Sequence, residues 1–462
     1  MKAFLQKNRE KIYEAVKNAK KTILQSNFIK SILTLSSGAV FSQVIIALGT
    51  PLISRLYSPA DIGGYKILST ASSVCCSIGN LGMMTAFMLP EKDKESRMLC
   101  KLVAASTAIL SFVMCAILFF ARNHFRITSD ERYSYFTLMV LLWGIGVLVT
   151  INNICTAYVN RLKKYKIIFC SQIICAAVNI LISAFMGIVE GGTWGYCIGS
   201  ICAYLCSAIY LIANGNPFIC EAESIFSYFK LLRSYKRFLV YSMPANIVMM
   251  LSEQVNAQIF RLAFSADILG IYYMAERILM IPTLLIARPI NRVFFREASE
   301  RYYDGRSIGE LAYSMICAGT LVAWLPLALI TLFGRELFSF FLGSQWGEAG
   351  AYASVLGVYC LMNFIDAALD GVFIIIRMNK WNLYIGCYDL VTSLALMAAA
   401  ILWIKKIYVF LAVLTGVRVV RTVVFKGIFL RNTGVPFSRL VRFLLLSVIL
   451  PAMLVWIFKI II

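Results

Sequence analysis

Thirteen stretches of this chain are each apolar enough and long enough to cross a bilayer, and that succession constrains the fold more than any motif does. They run near 31–55, 60–90, 99–121, 133–159, 166–189, 193–213, 237–262, 267–291, 308–333, 349–376, 381–404, 407–425 and 440–462. A helix needs about 20 predominantly apolar residues to cross the hydrocarbon core, whereas a membrane barrel shows alternating segments of about 10. Composition agrees: 60% of the residues are hydrophobic and 15% are charged, against about 25% charged in a soluble domain. The expected fold class is an all-α polytopic membrane protein with about thirteen transmembrane helices.

The formal charge of +21 invites a nucleic-acid reading, but its distribution argues for topology instead. With the N-terminal tail inside, the segments on the cytoplasmic side hold 30 of the 44 Lys and Arg, those outside hold 9, and the rest lie within spans. Such a bias sets orientation in the membrane. No nucleic-acid partner is expected. In the tail (residues 1–30), Ile12, Val16, Ala19 and Ile23 fall on one helical face among lysines, which predicts an amphipathic helix on the cytoplasmic surface. No small-residue cleavage site follows the first apolar run, so a signal peptide is not expected.

A decapeptide recurs at an offset of 206 residues. Arg55–Gly64 (Arg-Leu-Tyr-Ser-Pro-Ala-Asp-Ile-Gly-Gly) matches Arg261–Gly270 (Arg-Leu-Ala-Phe-Ser-Ala-Asp-Ile-Leu-Gly) at six of ten positions. Locally each copy reads as a turn and a helix start. Ser58 and Asp61 form a capping-box pattern with Pro59 at the first helical position, and Asp267 takes the corresponding structural place. An even number of spans separates the copies, so both halves enter the membrane in the same sense. This predicts a parallel repeat: a six-helix lobe over 31–213, a cytoplasmic linker over 214–236, a second lobe over 237–430, and an additional C-terminal helix within 431–462. In the linker, Ile225, Phe226, Phe229 and Leu232 suggest a surface helix.

The repertoire for catalysis is thin. Most of the fourteen Cys lie inside apolar runs, and the single histidine, His124, has no metal-ligand companions. There is no P-loop, no Ser/His/Asp set and no external loop longer than about a dozen residues, so neither a catalytic residue, a metal nor a cofactor is expected. A glycosyl-transfer enzyme would need a larger loop; transport is the better class.

Charges at membrane depth are candidates for function. Lys66 lies in span 2, Glu276, Arg277 and Arg288 in span 8, and Arg418 and Arg421 in span 12. Arg277, Ile281, Leu284 and Arg288 share one face of a continuous helix, with the arginines about 16 Å apart. Arginine binds phosphate in a bidentate fork, so a cationic interior would suit an anionic head group. The alternative is that each arginine pairs with a carboxylate, the natural partners of Arg418 and Arg421 being Asp366 and Asp370. Asn363, Asp366 and Asp370 form one polar stripe, and Ser242, Asn246, Glu253 and Asn256 another. Two carboxylates four residues apart repel, which would favour proton uptake by one. Glu253, Glu276, Asp366 and Asp370 are therefore candidates for coupling to H+ or Na+, with Glu253 alternatively neutralising Arg277. Pro51, Pro244, Pro282, Pro289 and Pro326 predict kinks.

Several of these stretches resemble a known family. Leu52–Gly63 (Leu-Ile-Ser-Arg-Leu-Tyr-Ser-Pro-Ala-Asp-Ile-Gly) is similar to the first outer loop of the Wzx-type oligosaccharide flippases, the bacterial polysaccharide biosynthesis proteins. So are the run Tyr-Ser-Met-Pro-Ala-Asn from Tyr241, the stretch from Asp267 to Tyr272, the run Asn-Arg-Val-Phe-Phe-Arg-Glu-Ala-Ser-Glu from Asn291, and Trp-Gly-Glu-Ala-Gly from Trp346. The likeness covers about residues 31–400. It implies a MATE-like fold of two six-helix lobes, from which the thirteenth span departs. It also implies a function: carrying undecaprenyl-pyrophosphate-linked oligosaccharide across the bacterial cytoplasmic membrane for O-antigen, capsule or exopolysaccharide synthesis. Membrane lipids and a polysaccharide polymerase are the further partners implied, and a cationic interior would receive the pyrophosphate. A MATE-type exporter of cationic drugs would share the fold, but the surplus of in-span arginines counts against it.

Overall fold

A computed structural model describes residues 27–441, apart from 121–133, 220–223 and a few isolated positions. The expected N-terminal amphipathic helix, the loop carrying His124 and the thirteenth span lie outside the described residues. Among those described, every regular element is a helix.

The first half comprises α1 (Asn27–Leu56), α2 (Pro59–Gly79), α3 (Asp93–Phe120), α4 (Tyr135–Arg161), α5 (Tyr165–Ile188) and α6 (Gly192–Gly215). A short helix, α7 (Ile225–Ser234), leads to α8 (Met243–Ala263), α9 (Ala266–Leu279), α10 (Arg288–Tyr303), α11 (Gly309–Leu342), α12 (Gly347–Ala368), α13 (Lys380–Leu402) and α14 (Ile407–Asn432). Nine helices among the described residues are long and apolar enough to cross a membrane. The helices α2 and α8 fall outside those nine, and both contribute ionisable side chains to the interior described below. Bulky apolar side chains such as Leu48, Phe120 and Leu181 face outward and exposed, as they do where the solvent is lipid.

Three of the expected spans are interrupted. Span 2 ends at Gly79, where the chain turns through Leu81 (φ 53°) and Gly82 (φ 67°). Span 8 is a helix, a π-helical turn and a second helix: α9 stops at Leu279, residues Thr283–Ala287 are π-helical, and α10 starts at Arg288. Pro282 and Pro289 flank that turn, and a proline has no N–H to give to the i−4 carbonyl, so the chain takes the wider spacing there. Span 10 breaks after Ala368 into a turn at Gly371 (φ 74°) and one further turn of helix, Val372–Ile375. A π-helical turn, Phe238–Ser242, also precedes Pro244. In α11 the backbone departs from helical values at Phe333 (φ −115°), not at Pro326. Beside it Gly334 and Gly350 bring the backbones of α11 and α12 together: a Cβ on Gly350 would stand 2.0 Å from the Gly334 carbonyl oxygen.

Within the first half α5 packs on α1 and α6, and α4 on α3 and α6; within the second, α12 packs on α11, α9 and α14, and α8 on α13. The halves meet chiefly where α2 lies along α8 and α9. Small residues make that approach close, as in membrane helix packing generally. The two copies of the repeated decapeptide face each other: a Cβ on Gly63 would stand 2.2 Å from the Ala266 carbonyl oxygen, and one on Gly270 1.8 Å from that of Pro59.

Candidate substrate cavity

The repeated stretch builds the closed end of the molecule. Ser58 caps α2, its hydroxyl accepting the Asp61 N–H at 3.2 Å while the Asp61 carboxylate accepts the Ser58 N–H at 3.2 Å. The other oxygen of Asp61 accepts the Thr193 N–H at 3.0 Å, tying α2 to the start of α6. In the second copy the cap moves by one position. Ser265, not the residue aligned with Ser58, accepts from Ile268 N–H at 3.2 Å, and Asp267 sits in the first turn, where it complements the helix dipole. Nearby, the Trp346 indole N–H and the Gln345 amide each donate to the Ser54 carbonyl at 2.6 Å, and the Ser54 hydroxyl donates to the Leu342 carbonyl at 2.8 Å.

Below this end lies a cavity of about 630 Å³ between the halves. All nine ionisable residues singled out within the spans line it: Lys66, Glu253, Glu276, Arg277, Arg288, Asp366, Asp370, Arg418 and Arg421. Asn256 and Asn363 line it too, whereas Ser242 and Asn246 do not. Arg277, Ile281, Leu284 and Arg288 all reach it despite the π-helical turn between them. The interior is not the cationic one expected. Asp389 of α13 also lines the cavity, so the lining holds five cationic and five acidic side chains.

These charges are segregated by their partners. On α14, Arg418 donates to Asp389 at 2.9 Å; Arg421 donates to Asp389 at 2.8 Å and also to Asp366. Asp366 further accepts from Thr422 at 2.8 Å and stands 3.6 Å from Lys426 Nζ. This corrects the sequence-based pairing in two ways. Asp370 is not a partner of either arginine: its carboxylate accepts the Gly371 N–H at 2.8 Å and is exposed. Asp366 is surrounded by cations and a hydroxyl, so mutual repulsion with Asp370 does not govern it. Arg418 and Arg421, expected on the substrate, are engaged by carboxylates. Lys426 is also buried there and donates to the Leu369 carbonyl at 3.1 Å.

The remaining charges face the cavity in different company. Arg277 donates to the Tyr196 hydroxyl at 2.6 Å and has no carboxylate partner among the described residues, so Glu253 does not neutralise it. Tyr196 is itself wedged edge-on between Tyr57 and Tyr65, with centroids at 5.4 and 4.5 Å. Glu276 accepts from the hydroxyls of Tyr272 and Tyr359 at 3.4 and 3.2 Å. Lys66 sits 4.7 Å from the centroid of the Tyr273 ring, a cation–π distance. Glu253 and Arg288 are exposed to the cavity and have no ion-pair partner among the described residues. Asp389 and the tyrosines were missed in the sequence. Asp389 had a signal, being the only acid in the apolar run 381–404; the tyrosines had none, because an aromatic residue in a span reads as packing. No cluster of metal-ligating residues occurs among the described residues.

The sequence matches the profile of the polysaccharide biosynthesis protein family over residues 52–351. The chain belongs to that family. No curated protein sequence matches it significantly. Among solved structures, the lipid II flippase MurJ in an inward closed conformation superposes with a TM-score of 0.65 at 14% identity, over 92% of this chain and 96% of that one. An inward-facing multidrug resistance MATE transporter of the MOP superfamily gives 0.54 at 15% identity, over 87% and 96%. A MOP superfamily transporter from Pyrococcus furiosus, whose binding pocket is described as reversed in polarity, gives 0.53 at 12%, over 89% and 98%. At these identities the likeness is one of fold: this family member is a multi-pass membrane protein with the all-helical architecture of the MATE and MurJ structures.

Proposed function

We propose that this protein is a flippase for lipid-linked oligosaccharides. The substrate would be an undecaprenyl-pyrophosphate-linked repeat unit, carried across the bacterial cytoplasmic membrane, with the N-terminus on the cytoplasmic side and a polysaccharide polymerase acting on the product. The observation that carries the reading is the cavity between the halves, lined by ten charged side chains, of which Glu253, Arg288 and Asp370 are exposed. Arg288 is exposed in that lining and has no ion-pair partner among the described residues, so it could receive a pyrophosphate while the lipid tail stays in the bilayer. Membership in a polysaccharide biosynthesis family supports the glycan side of the assignment. The two six-helix halves would act as lobes that close one end while opening the other. Glu253 is the carboxylate best placed for H+ or Na+ coupling, since it has no ion-pair partner among the described residues, whereas Glu276 is held by two tyrosines, Asp366 by Arg421 and Lys426, and Asp389 by Arg418 and Arg421.

A second reading keeps weight because of the five acids in the lining. An exporter of organic cations needs an acidic cavity, and the arginine surplus that counted against it in the sequence is balanced here by carboxylates. Deleting the gene in its native host separates the two. Loss of surface polysaccharide, with intact lipid-linked units held in the inner leaflet, supports the flippase; unchanged polysaccharide with new sensitivity to cationic drugs supports the exporter.

A further inference from the structure

The segment joining the two halves carries a helix with two unlike faces. Ser224 caps α7, its hydroxyl accepting the Ser227 N–H at 3.4 Å. On the inward side, Tyr228, Leu231 and Leu232 pack with Met98 and Leu99 of α3. On the outward side, Phe226 and Phe229 are 79% and 63% exposed, and Lys230 and Arg233 are exposed beside them. Positions 226, 229, 230 and 233 follow the i, i+3, i+4, i+7 spacing of a single helical stripe. No acidic residue occurs between Ser224 and Lys236.

The place of α7 in the fold identifies what covers that stripe. It packs on the beginning of α3, near the end of α4, and so lies level with helix ends that carry Lys92, Lys94, Arg161, Lys163, Lys164 and Lys166 against two acids, Asp93 and Glu95. Arg97 fastens the linker there, donating to the Ile219 carbonyl at 2.7 Å and to the Tyr158 hydroxyl at 2.8 Å. Ten residues rise about 15 Å, half of what a span requires, so α7 does not cross the bilayer. A helix in open water would not present two phenylalanines on its outward stripe. Aromatic side chains sharing a stripe with two bases and no acid match the boundary between acyl chains and anionic headgroups.

We propose that α7 lies in the headgroup layer of the leaflet at the basic end of the molecule. Phe226 and Phe229 enter the acyl region, and Lys230 and Arg233 bind anionic phospholipid. The connection between the halves is thereby anchored to the membrane surface, and its seating depends on lipid charge. This holds whichever substrate the cavity takes.

The test uses the full-length protein in nanodiscs of phosphatidylcholine, alone or mixed with phosphatidylglycerol, with a nitroxide amino acid incorporated in place of Phe226. Collisions with oxygen, which concentrates in hydrocarbon, are compared with those of a water-soluble nickel chelate. We expect oxygen to dominate at this position, severalfold above a label replacing Ser234, and to gain further when phosphatidylglycerol is added. The pair Lys230→Glu and Arg233→Glu abolishes that gain. Nickel collisions dominating in both bilayers overturn the proposal, as does protection from both reagents, which would mark a protein contact. An unchanged phosphatidylglycerol response in the Lys230→Glu, Arg233→Glu protein overturns the assignment of the two bases.

Discussion

Arg288 and Arg421 line the same cavity, and their partners set opposite consequences for removing them. Arg288 has no ion-pair partner among the described residues, so Arg288→Ala leaves no carboxylate stranded. If the guanidinium receives a pyrophosphate, its loss removes a charge-assisted contact worth about 1.5–3 kcal/mol. Transport of lipid-linked oligosaccharide into the outer leaflet should then need about tenfold or more substrate, with the melting temperature unchanged. Arg421 bridges Asp366 and Asp389 at side-chain exposures of 19% and 13%. Arg421→Ala leaves both carboxylates short of a cation, and breaking such a pair costs about 3 kcal/mol. The expected outcome is a lower thermal unfolding midpoint in detergent, and Asp389→Asn should do the same. An Arg421→Ala protein as stable as the parent would mean that Arg418 and Lys426 compensate fully. Glu253 offers the coupling test: Glu253→Gln keeps shape and removes charge, and the dependence of transport on a proton or sodium gradient should disappear with it. Gradient-driven transport that persists in Glu253→Gln removes this residue from coupling.

At the scale of elements, the starts of α2 and α9 touch through backbone. Gly270→Ala would place a methyl group 1.8 Å from the Pro59 carbonyl oxygen, with backbone rather than a flexible side chain in the way. The two helix ends must separate, so the protein should lose the state closed at this end, read as new thiol reactivity of Cys residues introduced beside the contact. Gly416→Ala, where nothing lies within 4 Å of the added Cβ, is the control and should change nothing. The duplicated decapeptide was legible in the sequence, and so were the apolar cores of most helices among the described residues, because length and hydropathy are local properties; the polar continuation of α10 to Tyr303 was not. That the two copies meet was not legible, since the contact depends on how α2 lies against α9. Local signals also overran the breaks: apolar content continues through Leu279–Arg288, and only the flanking prolines hinted that the helix would not. The site shows the same division. In-span charges announced the cavity lining, while the identity of each partner, such as Asp389 for Arg418, rests on contacts 29 residues apart in sequence.

For the whole molecule, closure at one end and access at the other come from contacts of different kinds. The closed end holds a fixed set of directional bonds: the fully buried Trp346 and its neighbour Gln345 both reach the Ser54 carbonyl, while Ser54 reaches Leu342. These bonds join α1 of the first half to the α11–α12 connection of the second. The ion pairs of the lining, by contrast, join α12, α13 and α14 within one half, so that cluster can move as a body without breaking Arg418–Asp389 or Arg421–Asp366. Motion between the halves therefore has to be resisted at the Ser54 latch, the Gly63–Gly270 contact and the Arg277–Tyr196 bond from α9 to α6, rather than at the ion pairs within the second half. Trp346→Phe removes one donor from the latch while keeping an aromatic ring in the buried site. Losing a buried hydrogen bond costs about 1 kcal/mol, enough to change the ratio of two conformations about fivefold. Distance distributions between spin labels on the latch ends of α1 and α11 should gain a longer population in Trp346→Phe, while labels at the opposite end near Asp370 should report a shorter one. An unchanged pair of distributions would mean that the latch plays no part in holding the halves, and that the glycine contact and the Arg277–Tyr196 bond hold the closed state.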